Sequence, residues 1–417
     1  MSRYVESETV ELKAEYTDDF IRDVVSFLNA EGGVVYFGVR EDGTVVGVEN
    51  ADDLAESVSA SIAKQIRPNP RRETATEILH EENLSILAVT VKKGSRPLYC
   101  VKIDGFSSKG SLVRAGTSHK ELSPEEILAR YRAYFFDDDY EDAMLQAPSK
   151  SADLSFETLK SMLTDRGFEI DEETFETSFH LRSADGAYNQ LAELLADQQE
   201  LSLVFDRQIP AGFGVCCETS DYGGEGLARG YQKTKERLDS EKVYFPRNAD
   251  DSSADGLLLY DMRCVNEALA NMLIHNDWTV AEPKVDLYMP RLVLTSYGGL
   301  PRGMTKREFY CGVSRPRNPG LAMVFSCLGL TGQKGRGVPT IIRKYGKKAF
   351  KIHDDHIDVI IPVNPEFWNR PTLREIFIGE LETEIMVWIF MLAPMALIVL
   401  VGAVLLLLLE ILLKTLF

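Results

Sequence analysis

The sequence is short of positive charge. Its 46 Lys and Arg stand against 64 Asp and Glu, which gives a formal net charge of −18 and a pI near 4.9. That balance argues against a broad basic surface of the kind that coats duplex DNA, and leaves room for a local basic patch. Paired cysteines are missing too. Cys100, Cys216, Cys217, Cys264, Cys311 and Cys327 form no CxxC and no metal-like spacing with His, so they read as reduced thiols of a cytosolic chain. The opening MSRYVESETV has no apolar run, so no signal peptide is expected. No internal repeat and no long low-complexity tract interrupts the chain.

Long hydrophobic runs are absent until the end. From Ile385 to Leu409 the chain reads IMVWIFMLAPMALIVLVGAVLLLLL without a charge. A hydrocarbon core about 30 Å thick needs about 20 helical residues, so this run predicts one transmembrane helix over 385–409. Trp388 suits an interfacial position and Pro394 a kink. The alternative is a buried or oligomer-forming apolar helix. A single-pass C-terminal anchor puts the bulk of the chain on the cytoplasmic side of a membrane.

With 417 residues, 45% hydrophobic and 26% charged, the chain has room for two or three globular domains. The pattern is α/β (α+β). FIRDVVSFLNA (20–30) has helical periodicity, with Phe20, Val24, Phe27 and Leu28 on one face. VVYFGV (34–39), TVVGV (44–48) and LSILAVTVKK (84–93) read as strands, and 51–66 as a helix. Ser123 and Glu126 form a capping box that opens another helix. An acidic run at 137–142 marks a boundary. Helices follow over 153–200, then strands at 201–208 and 212–220, and helices at 226–242 and 261–278. A hairpin at 285–299, a helix near 319–329 and a closing strand pair at 351–363 complete the pattern. The expected domains are 1–135, a helical or mixed middle region 150–255, a third unit 256–370 and the apolar helix 385–409.

Two groups of residues carry chemical potential. Glu6, Glu11 and Lys13 precede the first helix, and Glu41 and Asp42 follow the next strand. Carboxylates gathered from separate elements can hold Mg²⁺ or Mn²⁺, which activate water at a phosphate. By spacing alone, a solvated charged face is the ordinary reading. The second group is Glu267, Asn271 and His275 in NEALANMLIHND, four residues apart on one helical face. By spacing alone these read as a satisfied polar stripe.

The segments ESETVELKAE, SFLNAEGGVVYFGVREDGTVVGV, GSRPLYCVKIDG and LVRAGTSHKEL together resemble the Schlafen AlbA-2 domain. The resemblance implies an α/β nucleic-acid-binding domain, found in bacterial chains described as DNA-binding transcriptional regulators. In animal relatives the same domain is a metal-dependent ribonuclease acting on tRNA. Its acidic centre falls on Glu6, Glu11 and Glu41 here, with Lys13 beside them. Animal enzymes use two copies of the lobe, so a homodimer or higher oligomer is expected to supply the second. Candidate phosphate contacts are Lys64, Arg67, Arg71, Arg72, Lys92, Lys93, Arg96 and Arg114.

Downstream, PRLVLTSYGGLPRGMT, GVSRPRNPGLA and GQKGRGVPTII are similar to the ATP-binding module related to histidine kinases and gyrase. That resemblance implies Glu267 as the base that orients water and Asn271 as the Mg²⁺ ligand, with His275 on the same face. It puts Gly298 and Gly299 beside adenine, and Gly335 and Gly337 beside the phosphates. The family's adenine-reading aspartate is absent, since Ser296 and Tyr297 stand there. The expected function is a membrane-anchored nucleic-acid-binding regulator with an ATP-binding module. The alternatives are a metal-dependent endoribonuclease acting in stress or phage defence, and a catalytically silent membrane signalling protein.

Overall fold

The computed structural model describes residues 3–363, except 82, 137–142, 199, 212–213, 241–259, 289–290, 302 and 332–334. The expected transmembrane run 385–409 and the acidic run 137–142 lie outside the described residues. Among the described residues, no helix is long and apolar enough to cross a membrane.

The N-terminal lobe is built from β1 (Val10–Lys13), α1 (Phe20–Leu28), β2 (Gly32–Phe37), α2 (Ala51–Gln65), β3 (Ile66–Arg67), β4 (Thr74–Glu81), β5 (Leu84–Lys92), β6 (Cys100–Val101), β7 (Leu112–Ala115), β8 (Ser118–Glu121) and α3 (Pro124–Phe135). The main sheet has the order β1-β2-β5-β4, parallel at β1–β2 and antiparallel elsewhere. The apolar face of α1 seals it. Phe20, Val24, Phe27 and Leu28 are all buried with Val35, Phe37, Leu87 and Val89 in one cluster. Each such side chain contributes about 1.5–3 kcal/mol on burial. Asn29 ends the helix and locks the lobe. Its amide donates to the Tyr99 and Leu112 carbonyls and accepts from the Tyr99 N–H, each at 2.8 Å. The asparagine of NAEGG is thus a buried polar group with its partners supplied. TVVGV does not form the expected strand. Val45 makes only an isolated bridge with Val39, because the N–H groups of Val46 and Gly47 both turn back onto the Gly38 carbonyl.

The capping box forms as expected. Glu126 N–H donates to Ser123 Oγ at 3.2 Å and Ser123 N–H to Glu126 Oε2 at 2.8 Å. Helix α3 then leaves the lobe. Its Ile127, Leu128 and Tyr131 share a buried cluster with residues far downstream, among them Phe325 and Leu328.

Among the described residues, the middle region carries the short helices α4 (Ala143–Gln146), α5 (Glu157–Thr164), α6 (Phe175–Ser178) and α7 (Gln190–Leu195). After them come β9 (Val204–Ala211), β10 (Gly214–Asp221), α8 (Leu227–Ser240), α9 (Met262–His275), β11 (Lys284–Tyr288), β12 (Arg291–Tyr297), α10 (Lys306–Cys311), α11 (Pro319–Cys327), α12 (Gly337–Tyr345), β13 (Phe350–Ile352) and β14 (His356–Pro362). Their six-stranded sheet has the order β10-β9-β11-β12-β14-β13. It is antiparallel except at β9–β11. The sheet therefore crosses residue 255, where the sequence reading put a boundary, because β9 and β10 extend it. Helix α9 starts on Asp261, whose carboxylate accepts from the Arg263 and Cys264 N–H groups. It buries Val265, Ala268, Leu269, Met272 and Leu273. Glu267, Asn271 and His275 remain on its other edge, where they line a cavity.

Candidate functional site

The acidic centre forms on the edge strand β1. Glu11 is buried, and both of its carboxylate oxygens are taken. Lys13 Nζ lies 2.8 Å from Oε1 and Arg114 Nη1 lies 2.8 Å from Oε2. Arg114 also donates to the Ser7 and Val10 carbonyls at 2.9 and 3.2 Å, and its guanidinium sits 4.8 Å over the Phe27 ring. Lys13 makes a second ion pair, 3.1 Å from Asp23, and His119 Nδ1 lies 3.3 Å from the same carboxylate. Burial works against the charge on Lys13, but its hydrogen bonds and attraction to Glu11 and Asp23 outweigh that and raise its pKa. Burial first, then the Glu11 charge, raises both Asp23 and Glu6, and Glu41 adds to the effect on Glu6. Glu6 is half-buried and Glu41 exposed, so these two form the open side of the centre. Glu6, Glu11 and Glu41 do not present ligand atoms all within 4.8 Å of one another. An ion at Glu11 would share its carboxylate oxygens with Lys13 and Arg114, whose positive charges oppose it. Asp23 and His119 escaped the sequence reading, yet Asp23 left a signal: an acid one turn before Phe27 on an otherwise apolar helix.

The predicted phosphate contacts divide into three groups. Lys64, Arg71, Arg72, Lys92 and Lys93 are exposed. They gather at one end of the lobe: Lys92 N–H bonds the Glu73 carbonyl, and Asn69 reaches the Ala63 carbonyl at the end of α2. Lys93 pairs with the equally exposed Glu31. Arg67 is turned inward, donating to the Ala63 and Ile66 carbonyls at 3.0 and 2.7 Å. Arg114 is interior, as above, and a buried ion pair with Glu11 leaves it no face for a phosphate. Arg96 points elsewhere altogether, into the cavity of the C-terminal sheet.

That cavity lies between the two lobes. Arg96, Tyr134 and Phe135 line it from the N-terminal side. Glu267, Asn271 and His275 line it from α9, and Gly335 and Gly337 at the start of α12. Met304, Phe309 and Val338 give it an apolar wall, and Ser296 and Gly299 close one end. Helix α12 approaches α9 so closely that a Cβ on Gly337 falls 2.6 Å from Asn271 Nδ2 and 2.8 Å from Glu267 Oε2. Burial raises the pKa of Glu267, against the opposing pull of Arg263 and Arg96. Burial lowers Arg96, and Arg336 adds to that lowering despite nearby tyrosines. His275 is pushed down to about 4 by burial and by Arg317.

Arg317, which the sequence reading passed over within its SRPRNPG run, holds this end together. It donates to the His275 carbonyl at 3.1 Å and to the Gly298 and Gly299 carbonyls at 2.6 and 3.2 Å, and pairs with Asp277 at 3.4 Å. Gly298 and Gly299 have φ of +96° and +58°, and a Cβ on Gly299 meets the Asp354 carbonyl at 2.5 Å. Gly298 thus packs behind the cavity, while Gly299 lines it.

Residues 6–123 match the family model described as "Schlafen, AlbA_2", and residues 281–359 the one described as "Putative ATP-dependent DNA helicase recG C-terminal". The N-terminal lobe is a Schlafen AlbA_2 domain. A RecG-like ATPase-type domain follows it. The second match begins after α9, so Glu267 and Asn271 come from a helix upstream of it. Among solved structures, the chain is similar to the DIP2311 protein from Corynebacterium diphtheriae, with 18% identity and a TM-score of 0.43, over 86% of this chain and 65% of that one. It is also similar to the N-terminal domain of a RecG-related protein from Nitrosomonas europaea, with 16% identity and a TM-score of 0.17, over 20% of this chain and 61% of that one. The chain thus spans less than two-thirds of the length of either. No curated protein matches it.

Proposed function

We propose that the chain is a nucleic-acid-binding protein whose grip is set by a nucleotide held between its two lobes. The observation that carries this reading is Arg96. It belongs to the AlbA_2 lobe, yet it lines the same cavity as Glu267 and Asn271. Burial, with a smaller contribution from the Arg336 charge, disfavours the charge on Arg96, and an anion beside Arg96 offsets that cost. A nucleoside triphosphate with Mg²⁺ fits this donor set. The cavity has an apolar wall for a base, the Arg96 guanidinium for phosphate charge, and a glycine at 337 where a side chain would fill the space before Asn271 and Glu267. When bound, the triphosphate supplies a phosphoanhydride and its negative charge. Asn271 would hold the Mg²⁺, Arg96 would meet the phosphates, and Glu267 would orient water. Ser296 offers a hydroxyl where the resemblance leads one to expect an aspartate, so base recognition here rests on shape and a weaker polar contact.

The exposed end bearing Lys64, Arg71, Arg72, Lys92 and Lys93 is the surface proposed to meet nucleic acid. It gives a local basic patch inside an acidic chain, which accounts for binding without a basic pI. The acidic centre enters this reading as a charge-compensated network that shapes the lobe rather than as a preassembled metal site. Two titrations test the proposal. ATP with Mg²⁺ should raise the melting temperature of the wild type by mass action, and Asn271→Ala should remove that rise. Fluorescence anisotropy with labelled RNA and DNA should show binding that weakens steeply with salt and is lost when Arg71, Arg72, Lys92 and Lys93 are replaced by Ala. Metal-dependent cleavage abolished by Glu6→Ala would overturn the structural role assigned to the acidic centre.

A further inference from the structure

The tip of the β13–β14 hairpin carries the sequence HDDHID, residues 353–358, and the chain's turn brings its imidazoles together. The His353 N–H donates to the His356 carbonyl at 2.9 Å, closing the turn. The two rings stack, with centroids 4.2 Å apart and planes inclined by 14°. Asp358 lies two residues along the strand, on the same face as His356. One ligand atom from each of His353, His356 and Asp358 lies within 4.8 Å of the other two.

The surroundings orient these atoms. His356 Nδ1 lies 2.7 Å from Asp355 Oδ1, and because an ionised carboxylate can only accept, Nδ1 is the donor. The lone pair of a neutral His356 is then on Nε2, which lies 4.0 Å from Asp358 Oδ2. The other oxygen of Asp358 accepts from Thr295 Oγ1 at 2.7 Å. One imidazole is backed by a carboxylate and one carboxylate by a hydroxyl, which is how outer groups aim metal ligands.

We propose that this turn binds one borderline transition-metal dication of the Zn²⁺ class through His353, His356 and Asp358. Imidazole nitrogen selects such ions over Mg²⁺ or Ca²⁺, which prefer oxygen. Ligand bonds near 2.0 Å put donors about 3.3 Å apart, and an imidazole binds in its own ring plane, so the exposed His353 ring turns off its stack with His356 to close the site. His353 is exposed, which leaves an open position for water. The Asp355 carbonyl accepts the Gly298 N–H at 2.7 Å, so the ion also stiffens the turn that backs the nucleotide cavity. The site does not depend on nucleotide binding.

The test is calorimetric titration of the untagged full chain, in detergent, with Zn²⁺ above the ordinary pKa of His. One equivalent should bind, with no competition from excess Mg²⁺. His356→Ala and Asp358→Ala should each abolish it, and Asp355→Asn should weaken it about 10–100-fold. Co²⁺ should give a ligand-field spectrum without a thiolate charge-transfer band, which excludes Cys311. These turn positions are exposed or half-buried, so metal-free melting temperatures should be unchanged. Absence of stoichiometric Zn²⁺ uptake, or uptake unaltered in His356→Ala, overturns the proposal.

Discussion

Arg114 and Glu11 form a buried ion pair in the N-terminal lobe. Their side chains are 2% and 9% exposed and only 2.8 Å apart. Removing Glu11 strands the buried Arg114 charge, at a cost of about 3–5 kcal/mol, whereas removing Arg114 leaves Glu11 its ion pair with Lys13. Glu11→Leu should therefore unfold the lobe at markedly lower urea concentration. The double change Arg114→Met with Glu11→Leu should recover much of that loss, because no charge is then stranded. Equal damage from both variants would show that losing the Arg114 contacts to Ser7 and Val10 costs as much as stranding its charge. His275 makes a separate prediction. Burial holds its pKa at about 4, against 6.5 in the unfolded chain. Unfolding therefore takes up a proton between those values. The stability it contributes is complete above pH 6.5 and lost as pH falls toward 4. Chemical unfolding across that range should give a shallower pH dependence in His275→Gln by close to one proton.

At the scale of elements, α9 and α12 form the cavity by close approach. Gly337→Ala puts a methyl group 2.6 Å from Asn271 Nδ2. We expect a loss of about 1–3 kcal/mol from overpacking, and at least tenfold weaker ATP binding by calorimetry. Unchanged affinity would mean that the nucleotide does not touch this corner. Elements of this kind were legible where one face alone decides. Helix α1, α9 and the capping box on α3 announced themselves by period or cap, as did β5 by its apolar run. Strand β4 was passed over because TATEILHE is a half-exposed outer strand whose polar residues hide the alternation. TVVGV misled in the opposite direction, since its β-branched residues serve a turn closed on Gly38. The glutamate–asparagine stripe on α9 was visible from its four-residue spacing, but the place of Arg96 opposite it was not. That position depends on α3 crossing between lobes, a contact formed by Ile127, Leu128 and Tyr131 with residues about 200 positions away.

At the scale of the molecule, one cavity has walls from both lobes. A ligand that contacts both lobes can bias how nucleic acid is held, and nucleic acid must bias that ligand by the same factor. The exposed basic end and the cavity involve different residues of the AlbA_2 lobe, so the proposed coupling would pass through the lobe rather than through shared contacts. The most direct test is the affinity for labelled nucleic acid with and without saturating Mg²⁺ and a non-hydrolysable ATP analogue, in the wild type and in Arg96→Ala. The account predicts a shift of about 5–150-fold in the wild type. It predicts a much smaller shift in Arg96→Ala, which should still bind nucleic acid when nucleotide is absent. Equal affinities with and without the analogue, when calorimetry shows it bound, would show that nucleotide does not set the grip on nucleic acid.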